Sequence, residues 1–193
     1  MLKRIFDIVF SLLVIFICLP VFILASLLVK LDSGSPIFFK QKRVGKNGKV
    51  FTIFKFRTMK TKGGPLITAI DDSRITKAGK ILRFTNFDEL PQFFNIIKGD
   101  MSIVGPRPEL PEIVKIYTPK QREILKFKPG FTSFSTVKFL DEEKMLVNKN
   151  IMEFYLNEIL PKKIDADLEY FQKSNLFSDF ILILKTIGKT FIK

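Results

Sequence analysis

Three observations predict an α+β chain with an N-terminal membrane element. An apolar run with a proline near its middle fills residues 5 to 29, two β-type runs flank Asn47-Gly48, and most of the rest carries helical patterning. With 193 residues, 47% of them apolar and 22 of them Phe, one compact domain with an appended element has enough material for a core. The 32 Lys and Arg against 19 Asp and Glu, formally +13, point to polyanionic partners: anionic lipid, phosphorylated substrates or nucleic acid. A single cysteine, Cys18, excludes an intrachain disulfide and a Cys-based zinc site. With no His, chemistry falls to carboxylates, Lys, Arg and a hard cation on oxygen ligands.

From Ile5 to Val29 the apolar run is interrupted mainly by Asp7, Ser11, Pro20 and Ser26. A run of about 25 residues is long enough for a hydrocarbon core of about 30 Å. It is too long for a signal-peptide core, and no small-x-small cleavage site follows, so it is expected to be retained. Lys3 and Arg4 precede it, and Lys30, Lys40, Lys42 and Arg43 follow, so the positive-inside bias draws both ends to the cytoplasm. Pro20 removes a helix hydrogen bond and clashes with the preceding turn, which places it to bend the segment back. A re-entrant hairpin and a single span with a tolerated proline both satisfy these features. The turn cluster Asp32-Ser33-Gly34-Ser35-Pro36 marks the exit, giving 1–31 as the membrane element and 32–193 as the domain.

Ile37 to Val44 and Val50 to Thr58 read as a hairpin, and alternation puts Phe51, Ile53, Lys55 and Arg57 on one face. Taken alone, Lys55 and Arg57 read as solvated strand charges. Thr61 to Ile70, with Gly63-Gly64-Pro65, reads as a loop over a site. From Ser73 a helix is expected, with Ile75, Ala78, Gly79 and Leu82 inward, delivering Arg83 shortly before Asp88. Residues 110 to 126 and 150 to 160 read as helical, and Lys128-Pro129-Gly130 as a turn. Leu176 to Lys193 sets Phe180, Ile181, Leu184, Ile187 and Phe191 among Lys185, Lys189 and Lys193. That pattern suits an interfacial amphipathic helix or one packed on the core.

The chemistry concentrates in Asp88 to Pro108, DELPQFFNIIKGDMSIVGPRP. Pro91 is best tolerated in a first helical turn, which sets Asp88 near the N-cap; Gly99 then ends the helix and Met101 to Val104 form a short strand. As structure, Asp88 is a cap and Glu89 a first-turn acid. As chemistry, a carboxylate at a helix start stays ionised, holds a divalent cation and attacks phosphorus, while its neighbour handles a proton.

The ordered set Gln41-Lys42-Arg43-Val44-Gly45 with Gly48 and Phe51, then KFRTM at 55–59, Arg83, DELPQ and GDMSIVGPRP resembles the bacterial sugar transferases, monotopic polyprenyl-phosphate phosphoglycosyl transferases. The resemblance implies a re-entrant helix broken at Pro20. It also implies a small, mostly helical domain with a β-hairpin and interfacial amphipathic helices, lying on the cytoplasmic face of the bacterial inner membrane. It implies transfer of a sugar phosphate from a UDP-sugar donor to undecaprenyl phosphate, with UMP released. Asp88 is the expected nucleophile and magnesium (Mg2+) ligand, Glu89 its partner, and Arg57, Arg83 and Arg107 the phosphate-binding residues. Anionic membrane lipids are expected partners, nucleic acid is not, and a homo-oligomer is left open. Two departures stand out. Leu19-Pro20 replaces the family's Ser-Pro, and FTSFSTV followed by KFLDEEKML replaces a stretch near ITGWAQV associated with the donor. A non-catalytic scaffold of the same fold and a charge-driven lipid or nucleic-acid binder are the alternatives. The acid pair argues against both.

Overall fold

A computed structural model describes residues 1–60, 72–139 and 151–190. The expected loop at 61–70, the stretch from 140 to 150, and Phe191 and Lys193 lie outside the described residues. Two helices open the chain, α1 (Leu2–Ile17) and α2 (Leu19–Ser33), bent by 63° at their junction. The break falls at Cys18, two residues before Pro20, because the proline sits in the first turn of α2, where its missing N–H costs nothing. No single helix among the described residues is long and apolar enough to cross a membrane; the bent pair meets that test by length and composition.

Both helices contribute to the main core. Phe22, Ala25 and Val29 of α2 are buried with Phe51, Ile53, Phe56, Phe93 and Ile96, and Phe6, Phe10 and Val14 of α1 pack against them. The outer faces, including Val9, Leu12, Leu13, Phe16, Ile23, Leu24 and Leu27, are exposed. Lys3 pairs with Asp179, and Arg4 donates to the carbonyls of Ile96 and Ile97, so both flanking cations are engaged by the domain.

The hairpin forms as expected: β1 (Phe38–Val44) pairs antiparallel with β2 (Val50–Phe56), from Phe38 opposite Phe56 to Val44 opposite Val50. Asn47 and Gly48 both take positive φ in the connecting turn, the reason that dipeptide signals a hairpin. The helix expected from Ser73 starts at Lys77 as α3 (Lys77–Phe84), with the Thr76 side chain accepting the Gly79 N–H. Gly79 lets α3 lie directly on the backbone of Thr58; a Cβ there would sit 2.1 Å from the Thr58 carbonyl oxygen.

After a short 3-10 turn at Phe87–Glu89 comes α4 (Gln92–Lys98), closed by Gly99 at φ 98°, then β3 (Ser102–Val104). The expected helix over 110–126 is divided into α5 (Pro111–Lys115), α6 (Pro119–Arg122) and a 3-10 turn at Glu123–Lys126. The division comes from Thr118 and Gln121, which form a capping box and start a new helix at Pro119. Lys128-Pro129-Gly130 leads into β4 (Gly130–Thr132), parallel to β3, and so does not end in a simple turn. Gly105 and Gly130 cross in near contact: a Cβ on Gly130 would lie 2.1 Å from the Gly105 nitrogen.

The short helix α7 (Phe134–Lys138) is tied to α9 by Ser135, whose N–H and hydroxyl donate to Asp167 at 2.7 and 2.8 Å; α8 (Ile151–Phe154) and a π-turn lead into α9 (Leu160–Lys173). The last helix, α10 (Leu176–Thr190), packs on the core with one face and leaves apolar residues exposed on another. Asp179, Leu182 and Ile183 are buried on the domain, while Phe177, Phe180, Leu184 and Ile187 are exposed.

Asn95 joins the hairpin to α4. It is fully buried, its side-chain oxygen accepting the Phe54 N–H at 3.1 Å and its amide donating to the Thr52 carbonyl at 2.7 Å. Asn95→Ala removes both bonds and leaves two backbone groups of β2 unpaired, so unfolding of the detergent-solubilised protein is expected to be easier by about 2–4 kcal/mol. Unchanged unfolding would show that the clamp contributes nothing.

Candidate active site

The site grows from three pieces: the end of β2, the turn between α3 and α4, and the loop after β3. Asn86, left-handed at φ 56°, reverses the chain after α3 and opens the 3-10 turn that carries both acids. The placement of Asp88 near the cap of the apolar helix is therefore corrected. Pro91, not Asp88, precedes α4, and the 3-10 turn intervenes because the positive φ of Asn86 starts it early. Helix-dipole stabilisation of Asp88 loses its basis. What replaces it is a ring of cations around a buried pair.

Glu89 lies at the centre of this ring. Its Oε1 accepts from Lys55 Nζ at 2.6 Å and from Arg107 Nη2 at 2.8 Å. Burial works against its ionisation, but Arg107 and Lys55 outweigh that and hold the carboxyl well below the usual carboxylate range. Asp88, 9% exposed, behaves oppositely. Burial pushes it up to about 6; Lys55 opposes this, the Glu89 charge adds to it, and Arg83 and Arg107 reduce it. Among the described residues no hydrogen bond reaches the Asp88 carboxylate. Two adjacent acids thus differ in role: Glu89 is consumed by cations, and Asp88 is available.

Arg83, on α3, is held by a bond from its Nε to Thr58 Oγ1 at 2.9 Å, close enough to the acids to bias Asp88. Arg57 lies elsewhere. The residue is 5% exposed, and its guanidinium donates to the carbonyls of Ser33, Ser35 and Gly34 at 2.6 to 2.9 Å, closing the C-terminal end of α2. The described contacts of Arg57 are structural, and the cation that β2 supplies to the acids is Lys55. The alternation did put both on the face of Phe51 and Ile53, but that face runs from the core past Glu89 to the end of α2, so the two reach different places. Neither is the solvated charge that spacing alone suggested. The signal that could have found Lys55 is its place two residues nearer the apolar half of the strand.

Arg107 is set by the Gly105–Gly130 crossing, which holds the loop against β4; Gly105 N–H donates to the Thr132 carbonyl, and Gly130 N–H to the Pro106 carbonyl. Behind the loop Arg43 donates to the Pro108 carbonyl at 3.1 Å and Tyr155 donates to Glu109. Phe131 and Phe134, where the resemblance departs, pack on Phe93 and Tyr170 with ring centres 4.8 and 5.3 Å apart. Among the described residues no three Asp, Glu or Cys side chains cluster as a metal cage. A magnesium ion, which keeps several waters and takes only one or two carboxylates beside substrate phosphates, fits the available Asp88 oxygens.

The whole chain, residues 1–193, matches the bacterial sugar transferases. The chain belongs to the bacterial sugar transferase family. This sugar transferase, a phosphoglycosyl transferase by class, is 36% identical over 195 residues to the "Uncharacterized sugar transferase EpsL" of Bacillus subtilis, covering 99% of the chain and 88% of that protein. It is 44% identical over 135 residues, 68% of the chain and 71% of the relative, to a "Putative undecaprenyl-phosphate N-acetylgalactosaminyl 1-phosphate transferase" of the same organism. Against the "UDP-glucose:undecaprenyl-phosphate glucose-1-phosphate transferase" of Escherichia coli it is 34% identical over 202 residues, all of the chain but 40% of that longer protein.

The raised value for Asp88 has a thermodynamic sign. A carboxyl raised on folding favours the folded state most below its unfolded value, near 3.9, and this advantage is lost as pH rises through about 6. Asp88→Asn, which cannot ionise, should therefore unfold later than the parent at pH 7.5, by roughly 1–3 kcal/mol. The gap should close near pH 4. A variant less stable than the parent at pH 7.5 would contradict this account of the site.

Proposed function

We propose that this sugar transferase moves a sugar phosphate from a UDP-sugar to undecaprenyl phosphate, releasing UMP, through a covalent intermediate on Asp88. The observation that carries the reading is the division of labour between the acids: Glu89 holds Lys55 and Arg107 beside an Asp88 that is left free to react. The relatives' printed names supply the acceptor and the sugar-1-phosphate chemistry. One Asp88 oxygen attacks the β-phosphorus, and the bond from that phosphorus to the oxygen bridging the α-phosphate breaks. UMP leaves with that oxygen. An oxygen of the acceptor phosphate then attacks the same phosphorus and frees Asp88.

Lys55, Arg83 and Arg107 offset the charge on the transferring phosphoryl group. A phosphate monoester with a second pKa of about 6 is already largely dianionic at neutral pH, so the acceptor needs little help from a base. The depressed Glu89 therefore serves first as the counter-ion that orients two cations. Asp88 is the residue that would hold a magnesium ion, which would supply further neutralisation of phosphate charge.

Exposed apolar surface supports the same reading. Phe87, Phe94 and Phe84 are exposed around the acids, and Phe94 meets Phe22 of α2 edge-on at 5.9 Å, so apolar surface continues from the site onto the bent helix pair. We place the pair as a re-entrant anchor, with the domain at the cytoplasmic surface of the inner membrane. Phe177, Phe180, Leu184 and Ile187 of α10 rest in the interface, among anionic headgroups.

Detergent-solubilised protein given magnesium, undecaprenyl phosphate and UDP-glucose, UDP-galactose or UDP-N-acetylgalactosamine should release UMP. Chelation of magnesium should stop it. Asp88→Asn should abolish both UMP and a phosphosugar adduct seen by intact-protein mass spectrometry, and an adduct on that variant would end the nucleophile assignment. Lys55→Ala and Arg107→Ala should each lower turnover by roughly 100-fold or more. Arg57→Lys should retain most of it, as expected of a residue that caps α2.

A further inference from the structure

Asp7 is an ionisable residue in an apolar helix and is only 3% exposed. Such a group is costly to bury unless its hydrogen bonds are met, and a hydrophobic residue would serve an anchor better. Its bonds are met by one segment. Oδ1 accepts the Ile103 N–H at 3.1 Å, and the Ser102 hydroxyl lies 3.1 and 2.9 Å from Oδ1 and Oδ2. One turn earlier, Arg4 donates to the Ile96 and Ile97 carbonyls at 2.5 and 2.6 Å, taking up carbonyls at the end of α4. One turn later, the fully buried Ser11 returns its hydroxyl to the Asp7 carbonyl at 2.6 Å.

These contacts land on the two segments that bound the active site. From Ile103 the chain reaches Arg107 in four residues, and α4 starts three residues after Glu89. We infer that Arg4 and Asp7, at the start of the membrane-anchoring helix, are positioning residues: they fix β3 and the end of α4, and through them the Arg107 loop and the acid turn. The anchor and the site are thus one mechanical unit. The catalytic part of this inference rests on the proposed transfer reaction; the positional part does not.

The test uses the full chain in nanodiscs and two readouts. Hydrogen–deuterium exchange is compared for the parent, Asp7→Ala, Asp7→Asn and Ser102→Ala. Amides from 101 to 108 should exchange at least tenfold faster in Asp7→Ala, those of β1 and β2 should be unchanged, and Asp7→Asn, which keeps an acceptor, should fall between. Should Asp7→Ala fail to fold, Ser102→Ala, which leaves the helix intact, reads the same amides. Unchanged exchange at 101–108, or equal acceleration across the whole domain, overturns the inference, and this holds even if no donor is turned over. With whichever of the three UDP-sugars releases UMP, kcat of Asp7→Ala should fall about 10- to 100-fold with KM for the donor within threefold. In an Arg107→Ala background the same substitution should cost less than threefold further, because its effect has already been removed. Losses that multiply in the double variant would show that Asp7 acts by some route other than the Arg107 loop.

Discussion

Two cations share one oxygen of Glu89, and the rest of the site is arranged around that fact. Lys55 arrives on a strand and Arg107 on a loop, from parts of the chain 52 residues apart, and each alone would repel the other. The carboxylate between them lets both stay charged in a partly buried place, at the price of its own basicity. Its neighbour Asp88 then sits in a field that is positive overall yet dry enough to keep its carboxyl near neutrality at mildly acid pH.

The fold supplies this field by close backbone approaches and buried polar bonds. Gly79 brings α3 onto Thr58, and the Gly105–Gly130 crossing presses the arginine loop against β4. Asn95 ties α4 to β2, so that the strand delivering Lys55 and the helix after the acids move together. Each approach is made by a residue whose alternatives are too large or cannot donate and accept at once.

Much of this was legible in the sequence where the signal was local. Asn47-Gly48 marked the hairpin, Gly99 the end of α4, and Pro20 the bend to within two residues. What failed depended on distant partners. The strand pattern could not foresee that Arg57 would donate to three carbonyls at the end of α2. The cap reading of Asp88 overlooked Asn86, whose left-handed turn begins the local structure six residues before the first residue of α4. Asn95 gave no signal at all: a lone amide in an apolar helix says nothing until the strand it faces is known.

The ion pair between Lys3 and Asp179 links residues 176 positions apart. Contacts of such separation are completed last, after the entropy of closing nearly the whole chain has been met. The inner side of the helix pair is completed by parts spread along the chain: Phe22 and Val29 meet β2, Arg4 meets α4, Asp7 meets β3 and Lys3 meets α10. A domain made without the pair would lack that side of its core, so the first two helices are part of the fold and not an appendage to it.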